Sequence, residues 1–208
     1  MSFMTHDKRG GHVKLGNAAT VRSGLVLSRK QAKEPPYIRY PLLNLRSINP
    51  GGHIDSSETD VFDSAEPLSS DYLTQCGDIV VRLTAPYTAV LIDESTEGLV
   101  VSSNFLIIRV DPHYLLPEYL FWLLNTPDIR REIYENTGSN MLGAVKAKFF
   151  VEYEFTLLPL AKQTQIADMY AMSIKEARLL HQLADAKSKY YSMLIDHIHN
   201  EMKRGNRS

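Results

Sequence analysis

The sequence is short of cysteine, of tryptophan and of long apolar runs, and its charges nearly cancel. A single cysteine, Cys76, in 208 residues excludes a disulfide framework and suits a reducing, cytoplasmic setting. No apolar stretch approaches the roughly 20 residues that a membrane-spanning helix needs. The first residues are polar and carry no signal-peptide core, so 1–12 is expected to be a loose leader. A formal net charge of −1, taken as a total, offers nothing to a polyanion.

What is present is a core and a rod. Hydrophobic residues make up 44% of the chain, enough for one folded domain with an appendage. The appendage is the C-terminal stretch. Ile166, Tyr170, Ser173, Ala177, Leu180, Ala184, Tyr191, Leu194 and Ile198 recur in steps of four and three, with Lys187 on the same seam. Leu179, Leu183 and Tyr190 widen the stripe, and no proline or glycine interrupts the run before Gly205. That period predicts one long coiled-coil helix, roughly 60 Å from end to end. Its apolar seam needs a second helix, and the chain offers no other of matching length. Ile166, Tyr170, Ala177, Leu180, Ala184, Tyr191, Leu194 and Ile198 are therefore the expected dimerisation residues.

The small total charge hides a segregation. Nine Lys and Arg residues lie between Met1 and Gly52 against Asp7 and Glu34, a balance of +7. Six acids and no base lie between His53 and Tyr72, a balance of −6. The two segments either form opposite faces or fold against each other and cancel.

Between the charged segments and the rod the pattern is strand-like. Val13–Val26 reads as strand, turn and strand, and Tyr37–Leu45 as another strand. Asn49-Pro50-Gly51-Gly52 is a turn, and the acidic segment reads as a long surface loop. Short strands follow at Ile79–Leu83, Thr88–Asp93, Leu99–Val101 and Phe105–Val110. Pro117 opens a helix at a tolerated first-turn position, Pro127 separates it from a second, and Lys146–Leu158 reads as strand. The expected fold class is α+β: a curled mixed or antiparallel sheet domain (13–160) with a few short helices, followed by the long helix (161–208).

The order of these features resembles one family. Gly77-Asp78-Ile79-Val80-Val81-Arg82 comes first, then Ser102-Ser103-Asn104-Phe105 running to Arg109. Leu116-Pro117-Glu118-Tyr119-Leu120-Phe121-Trp122-Leu123-Leu124-Asn125, Thr137-Gly138-Ser139, and Leu158-Pro159-Leu160 before Gln163-Thr164-Gln165-Ile166-Ala167 complete the series. Together they resemble a target recognition domain and conserved helix of the specificity (S) subunits of type I restriction-modification enzymes. Members usually carry two such domains and two long helices, and this chain resembles half of one. The resemblance implies a non-catalytic reader of one half-site in double-stranded DNA, pairing as a homodimer or with a second half-subunit. Methylation and cleavage would reside in methylase and restriction/translocase partners, and S-adenosylmethionine would bind a partner methylase, leaving this chain without a cofactor.

Candidate DNA contacts are basic and polar residues on loops and strand ends. Arg22, Arg29, Lys30, Lys33, Arg46 and Lys146 can neutralise phosphates, which gives affinity without sequence preference. Arg82, Thr84 and Tyr87 stand at a strand end where a side chain can reach a base edge. Gly138, Ser139 and Asn140 offer donors to a phosphate or an adenine edge. Catalytic and metal chemistry find little. His197 and His199 are two apart on a helix and diverge, where a metal site wants a spacing of three or four. Ala85-Pro86-Tyr87 lacks the polar residue that would make it a methyltransferase motif, and Cys76 is expected to be a small buried side chain. Because the charge is near neutral, an interaction module of the same fold that has lost DNA binding is the competing reading.

Overall fold

The computed structural model describes residues 11–49, 51–137 and 144–205. The chain divides into two compact units, Met1–Ala167 and Asp168–Ser208. The first holds three small sheets. Strand β1 (Gly11–Lys14) leads through a single helical turn, α1 (Leu15–Ala18), into β2 (Ala19–Ser23). Further strands are β3 (Ile38–Leu43), β4 (Asp60–Ser64), β5 (Ile79–Arg82), β6 (Ala89–Leu91), β7 (Val100–Val101) and β8 (Phe105–Val110). Helices α2 (Pro117–Leu124), α3 (Pro127–Thr137) and α4 (Ala147–Glu152) precede β9 (Glu154–Leu157) and the long helix α5 (Leu160–Gly205).

An antiparallel sheet in the order β2-β8-β5-β6 forms the centre of the unit. Its strands β5 and β8 are apolar on both faces, with Ile79, Val80, Phe105, Leu106 and Ile108 wholly enclosed. A second sheet, β4-β3-β7, is mixed: β3 runs antiparallel to β4 and parallel to β7. Strands β1 and β9 pair antiparallel, with Val13 opposite Phe155. Gly11 and His12 thus belong to a strand rather than to a leader.

Two close approaches require glycine. A Cβ on Gly24 would stand 2.1 Å from the Ser102 carbonyl oxygen, because the chain leaving β2 runs directly against the β7–β8 turn. A Cβ on Gly16 would meet the Val151 backbone oxygen at 3.0 Å, where α1 packs on α4.

Two segments differ from their reading in sequence. The acidic segment is not a loop: it contains β4, with Phe62 and Ser64 buried, Asp63 between them half-buried, and Asp60 and Val61 exposed. The strand is held on β3 by an antiparallel ladder, with one buried apolar side chain, Phe62, opposite Tyr40. Lys146–Leu158 is not one strand. Its first half is α4, where Phe150 is enclosed and Lys148 and Glu152 form an exposed i,i+4 pair. The β-favouring run Phe149-Phe150-Val151 is overridden by packing against α1, as tertiary context commonly overrides propensity.

A buried ion pair ties the central sheet to the segment before it. Arg109 on β8 donates from Nε to Asp78 Oδ1 at 2.8 Å and from Nη2 to Asp78 Oδ2 at 3.1 Å. Nη2 also reaches the Leu73 carbonyl at 2.8 Å, and Asp78 accepts from the Gln75 N–H at 2.9 Å. Every group of the pair has a partner, the condition under which burying two charges is tolerated. Elsewhere on this unit's surface, burial pushes the Tyr153 phenol up to about 12, with Glu132, Tyr119 and Asp128 adding to the effect.

The root of α5 belongs to the same unit. Gln163 is fully buried, and both of its N–H donors and its carbonyl oxygen are engaged. Its Nε2 donates to the Tyr114 carbonyl at 2.8 Å and the Leu158 carbonyl at 2.7 Å, and its Oε1 accepts from the Leu116 N–H at 2.8 Å. Leu116 caps the N-terminus of α2, so one side chain joins the starts of two helices. The second unit is a helical stretch in which every residue from Lys175 to Arg204 is exposed, among them Leu180 at 59% and Tyr191 at 57%. No helix among the described residues is long and apolar enough to cross a membrane.

Gln163→Ala strands three partly buried backbone groups at once. Each unsatisfied group costs about 1–3 kcal/mol, so urea unfolding is expected to show a loss of about 3 kcal/mol or more. A loss below about 1 kcal/mol would mean that those groups find other partners and that the carboxamide does not anchor the helix.

Candidate nucleic-acid interface

Ion pairing sorts the cations. Four basic side chains of the N-terminal segment are taken by the acidic segment. Arg39 Nε meets Asp63 at 2.8 Å across the β3–β4 ladder, where the two residues are direct partners. Arg46 Nη2 meets Asp60 at 2.7 Å and its Nε lies 3.9 Å from Glu58. Arg22 pairs with Asp71 and Lys30 with Glu66. Asp63 also holds the Arg39 guanidinium above its ordinary pKa, while the Ser57 hydroxyl and N–H hold the Asp55 carboxyl below the usual carboxylate range. The segregated charges therefore fold against each other. Arg22, Lys30 and Arg46, three of the five N-terminal residues expected at phosphates, are thus paired with carboxylates. Arg29 and Lys33 are exposed and have no carboxylate partner among the described residues.

A second group of candidates comes together around the β5–β6 turn. Arg82 ends β5, and its Nε donates to Thr84 Oγ1 at 3.2 Å. Its backbone N–H donates to the Thr88 carbonyl at 3.0 Å, closing the turn. Tyr87 is buried, with φ at 55°, and its hydroxyl lies 3.2 Å from Thr137 Oγ1. Its side chain is therefore spent on packing, and Arg82 and Thr84 are the members of this trio that remain partly exposed. The Val145 N–H donates to the Leu83 carbonyl at 2.9 Å, which brings the backbone just before exposed Lys146 to the residue after Arg82. Gly138, Ser139 and Asn140 lie outside the described residues, but Thr137 and Val145, which flank that segment, both bond to this turn. The fold thus converges on one place from three separate parts of the chain.

Two residues outside the expected contact set stand at the same place. Asn125 covers the open edge of β6 like a strand, accepting from the Ala89 N–H at 3.2 Å and donating to its carbonyl at 3.0 Å. Arg130 on α3 donates from Nη2 to Asn125 Oδ1 at 2.9 Å. The available signal was helical spacing: Ile129, Ile133 and Thr137 mark the buried face of α3, and Arg130 lies at its edge. The resemblance residues Asp78 and Arg109 prove to be partners of each other, so they support the sheet and not the interface. Cys76 is exposed, contrary to expectation, because Gln75 and Cys76 form the turn outside β5. No group of three or more His, Cys, Asp or Glu side chains suited to a metal ion occurs among the described residues. His197 faces Glu201 at 3.3 Å instead.

No protein-family model and no curated protein matches the chain. Solved structures do. It is similar to the HsdS subunit from Thermoanaerobacter tengcongensis, with a TM-score of 0.61 and 18% identity over 88% of this chain and 46% of that one. It is also similar to a chain solved in work on complex assembly and conformational transition of the type I R-M system. There the TM-score is 0.67 and the identity 17%, over 89% of this chain and 47% of that one. The chain spans about half the length of the solved chains it matches. The likeness establishes a shared fold, α+β with a long C-terminal helix, which is the fold that the sequence motifs led us to expect.

The pairs between the two charged segments are largely exposed, and such pairs contribute about 0–1 kcal/mol each. Asp60→Asn combined with Asp63→Asn and Glu66→Gln should therefore unfold close to the wild type, yet release Arg46, Arg39 and Lys30. The triple variant is expected to leave a heparin column at distinctly higher salt. Elution at the wild-type position would show that those cations are not held by the acids in solution.

Proposed function

We propose that this chain is a non-catalytic DNA-recognition subunit of a type I restriction-modification enzyme. The observation that carries the proposal is the likeness of fold to subunits of such systems over nearly nine-tenths of the chain. The convergence of Arg82, Thr84 and Lys146 on one turn gives it a candidate surface. Arg82 is the base reader, since arginine makes the commonest specific contact to guanine, two-pronged to O6 and N7. Lys146, Arg29 and Lys33 contact phosphates, and Gly138, Ser139 and Asn140 offer further donors to a phosphate or an adenine edge. Methylation and cleavage belong to separate subunits, and S-adenosylmethionine is held by a partner methylase.

Arg82→Ala is expected to weaken binding to the target duplex by about 1–3 kcal/mol and leave random-sequence duplex nearly unaffected. Equal losses on both would make Arg82 a phosphate contact. A gel shift at low and moderate salt tests the function itself: no salt-sensitive duplex binding, with and without methylase subunits, would sink it. That result would favour the second reading, a protein-interaction module of the same fold. The capture of Arg22, Lys30, Arg39 and Arg46 by carboxylates is the observation on its side.

Assembly follows from the second unit. Leu180, Tyr191, Leu194 and Ile198 are between 38% and 59% exposed, too much apolar surface for an isolated rod. Pairing with a second copy, antiparallel and two-fold symmetric, covers them. The recognition units then lie at opposite ends of an arm of roughly 60 Å. A duplex turn advances about 34 Å, so the half-sites fall one to two turns apart, and identical subunits imply an interrupted palindrome. Light scattering is expected to give a dimer at tens of micromolar, and Leu180→Asp a monomer. A wild-type monomer, or a dimer that survives the substitution, would remove the arm from the proposal.

A further inference from the structure

Arg130 holds a half-buried positive charge with no acid to meet it. Its Nη2 is engaged by the neutral carboxamide of Asn125, its Nε is enclosed without any hydrogen-bond partner, and no carboxylate lies within ion-pair distance among the described residues. This sets it apart from Arg39, Arg46, Arg109 and Arg131, each of which has an acid. Packing has fixed the guanidinium in place where nothing neutralises it. Burying part of a charge and orphaning one of its N–H groups both cost stability, and an unsatisfied group of this kind calls for an explanation.

The helix that carries Arg130 keeps its own acids away from it. At 100° per residue, Asp128, Glu132 and Glu135 lie roughly 140–200° around α3 from Arg130, on the far side. Asp128 is further occupied by Arg131 at 2.6 Å, and Asp128 and Glu132 help to raise the pKa of Tyr153. Thr137, seven residues on, returns to within roughly 20° of Arg130, and it is the residue that bonds Tyr87 of the β5–β6 turn. Through Asn125, Arg130 is one side chain removed from the Ala89 backbone at the other end of that turn. Arg82 ends β5 at that turn, and Lys146 follows Val145, which bonds to the Leu83 carbonyl; neither has a carboxylate partner among the described residues.

We propose that Arg130, with Arg82 and Lys146, forms a cationic cradle around the β5–β6 turn, and that Arg130 contacts a backbone phosphate of bound DNA through its remaining Nη1. The assignment rests on the DNA-recognition reading. It adds a contact that supplies affinity and register and carries no base preference. A guanidinium prepositioned by Asn125 loses little freedom on meeting a phosphate, and a partly desolvated site strengthens the charge-assisted bond.

The test uses the full chain with three single variants, Arg130→Gln, Arg130→Lys and Arg131→Gln. Duplex affinity is measured across a range of salt, on target and on random sequence. Each phosphate contact contributes about 0.9 to the slope of log K against log salt. Arg130→Gln is expected to lower that slope by about one and to weaken both duplexes by the same factor, while Arg131→Gln matches the wild type. Arg130→Lys is expected to recover most of the slope, which separates lost charge from lost folding. A slope unchanged in Arg130→Gln overturns the assignment, and so does a slope lowered equally in Arg130→Lys and Arg131→Gln. A second readout, independent of DNA, is the shift in Tm with inorganic phosphate at constant ionic strength. If the wild type binds no duplex yet phosphate raises its Tm and not that of Arg130→Gln, the cradle stands and the DNA reading falls. If neither duplex nor phosphate acts on the wild type, both fall.

Discussion

Three hydrogen bonds to one buried carboxamide hold the start of the long helix, and the rest of the design needs that fixed point. Gln163 satisfies the carbonyls of Tyr114 and Leu158 and the N–H of Leu116. These groups belong to the segment before α2, the segment after β9 and the cap of α2 itself. A neutral side chain does this without the desolvation cost of a charge. A glutamate there would lack the two donors, and an apolar residue would leave three partly buried polar groups open. The helix therefore starts from a defined place in the first unit.

Charge in this chain is arranged by pairing and not by amount. The +7 and −6 segments meet along the β3–β4 ladder and its flanks, so four of the seven described N-terminal basic residues contribute little long-range field. Among the described residues of the first unit, six basic side chains have no carboxylate partner, Arg82, Arg130 and Lys146 among them. A near-neutral total is thus compatible with a local cationic site, because the field at a surface depends on which charges are neutralised by neighbours within a few ångströms. Exposed cations held by acids also restrain indiscriminate attraction to polyanions.

The long helix presents a different balance. Its apolar stripe follows a 3.5-residue period over more than four heptads, with Ser173 and Lys187 as polar interruptions of the kind that set register. All side chains from Lys175 to Arg204 are open, so packing within the chain does little to stabilise this stretch, and an isolated helix gains little from propensity alone.

Local pattern was enough for some of this. The 4-3 spacing from Ile166 to Ile198 announces the helix because its period is a property of consecutive residues. Pro117 and Pro127 mark the starts of α2 and α3 for the same reason, and the ordered motifs from Gly77 to Ala167 pointed to the shared fold. The misread segments were those in which local preference and long-range packing compete. Phe149-Phe150-Val151 favours a strand until α1 offers a surface for a helix, and Asp60–Ser64 looks like a solvated loop until Phe62 finds its place opposite Tyr40. Which cations stay free was beyond any local pattern. Arg39 finds Asp63 at 24 residues' separation, Lys30 finds Glu66 at 36, and Tyr87 finds Thr137 at 50. Arg22 and Arg82 look alike in the sequence; only the folded chain brings Asp71 to one and leaves the other with a hydroxyl, because electrostatic partnership is decided by distance in space.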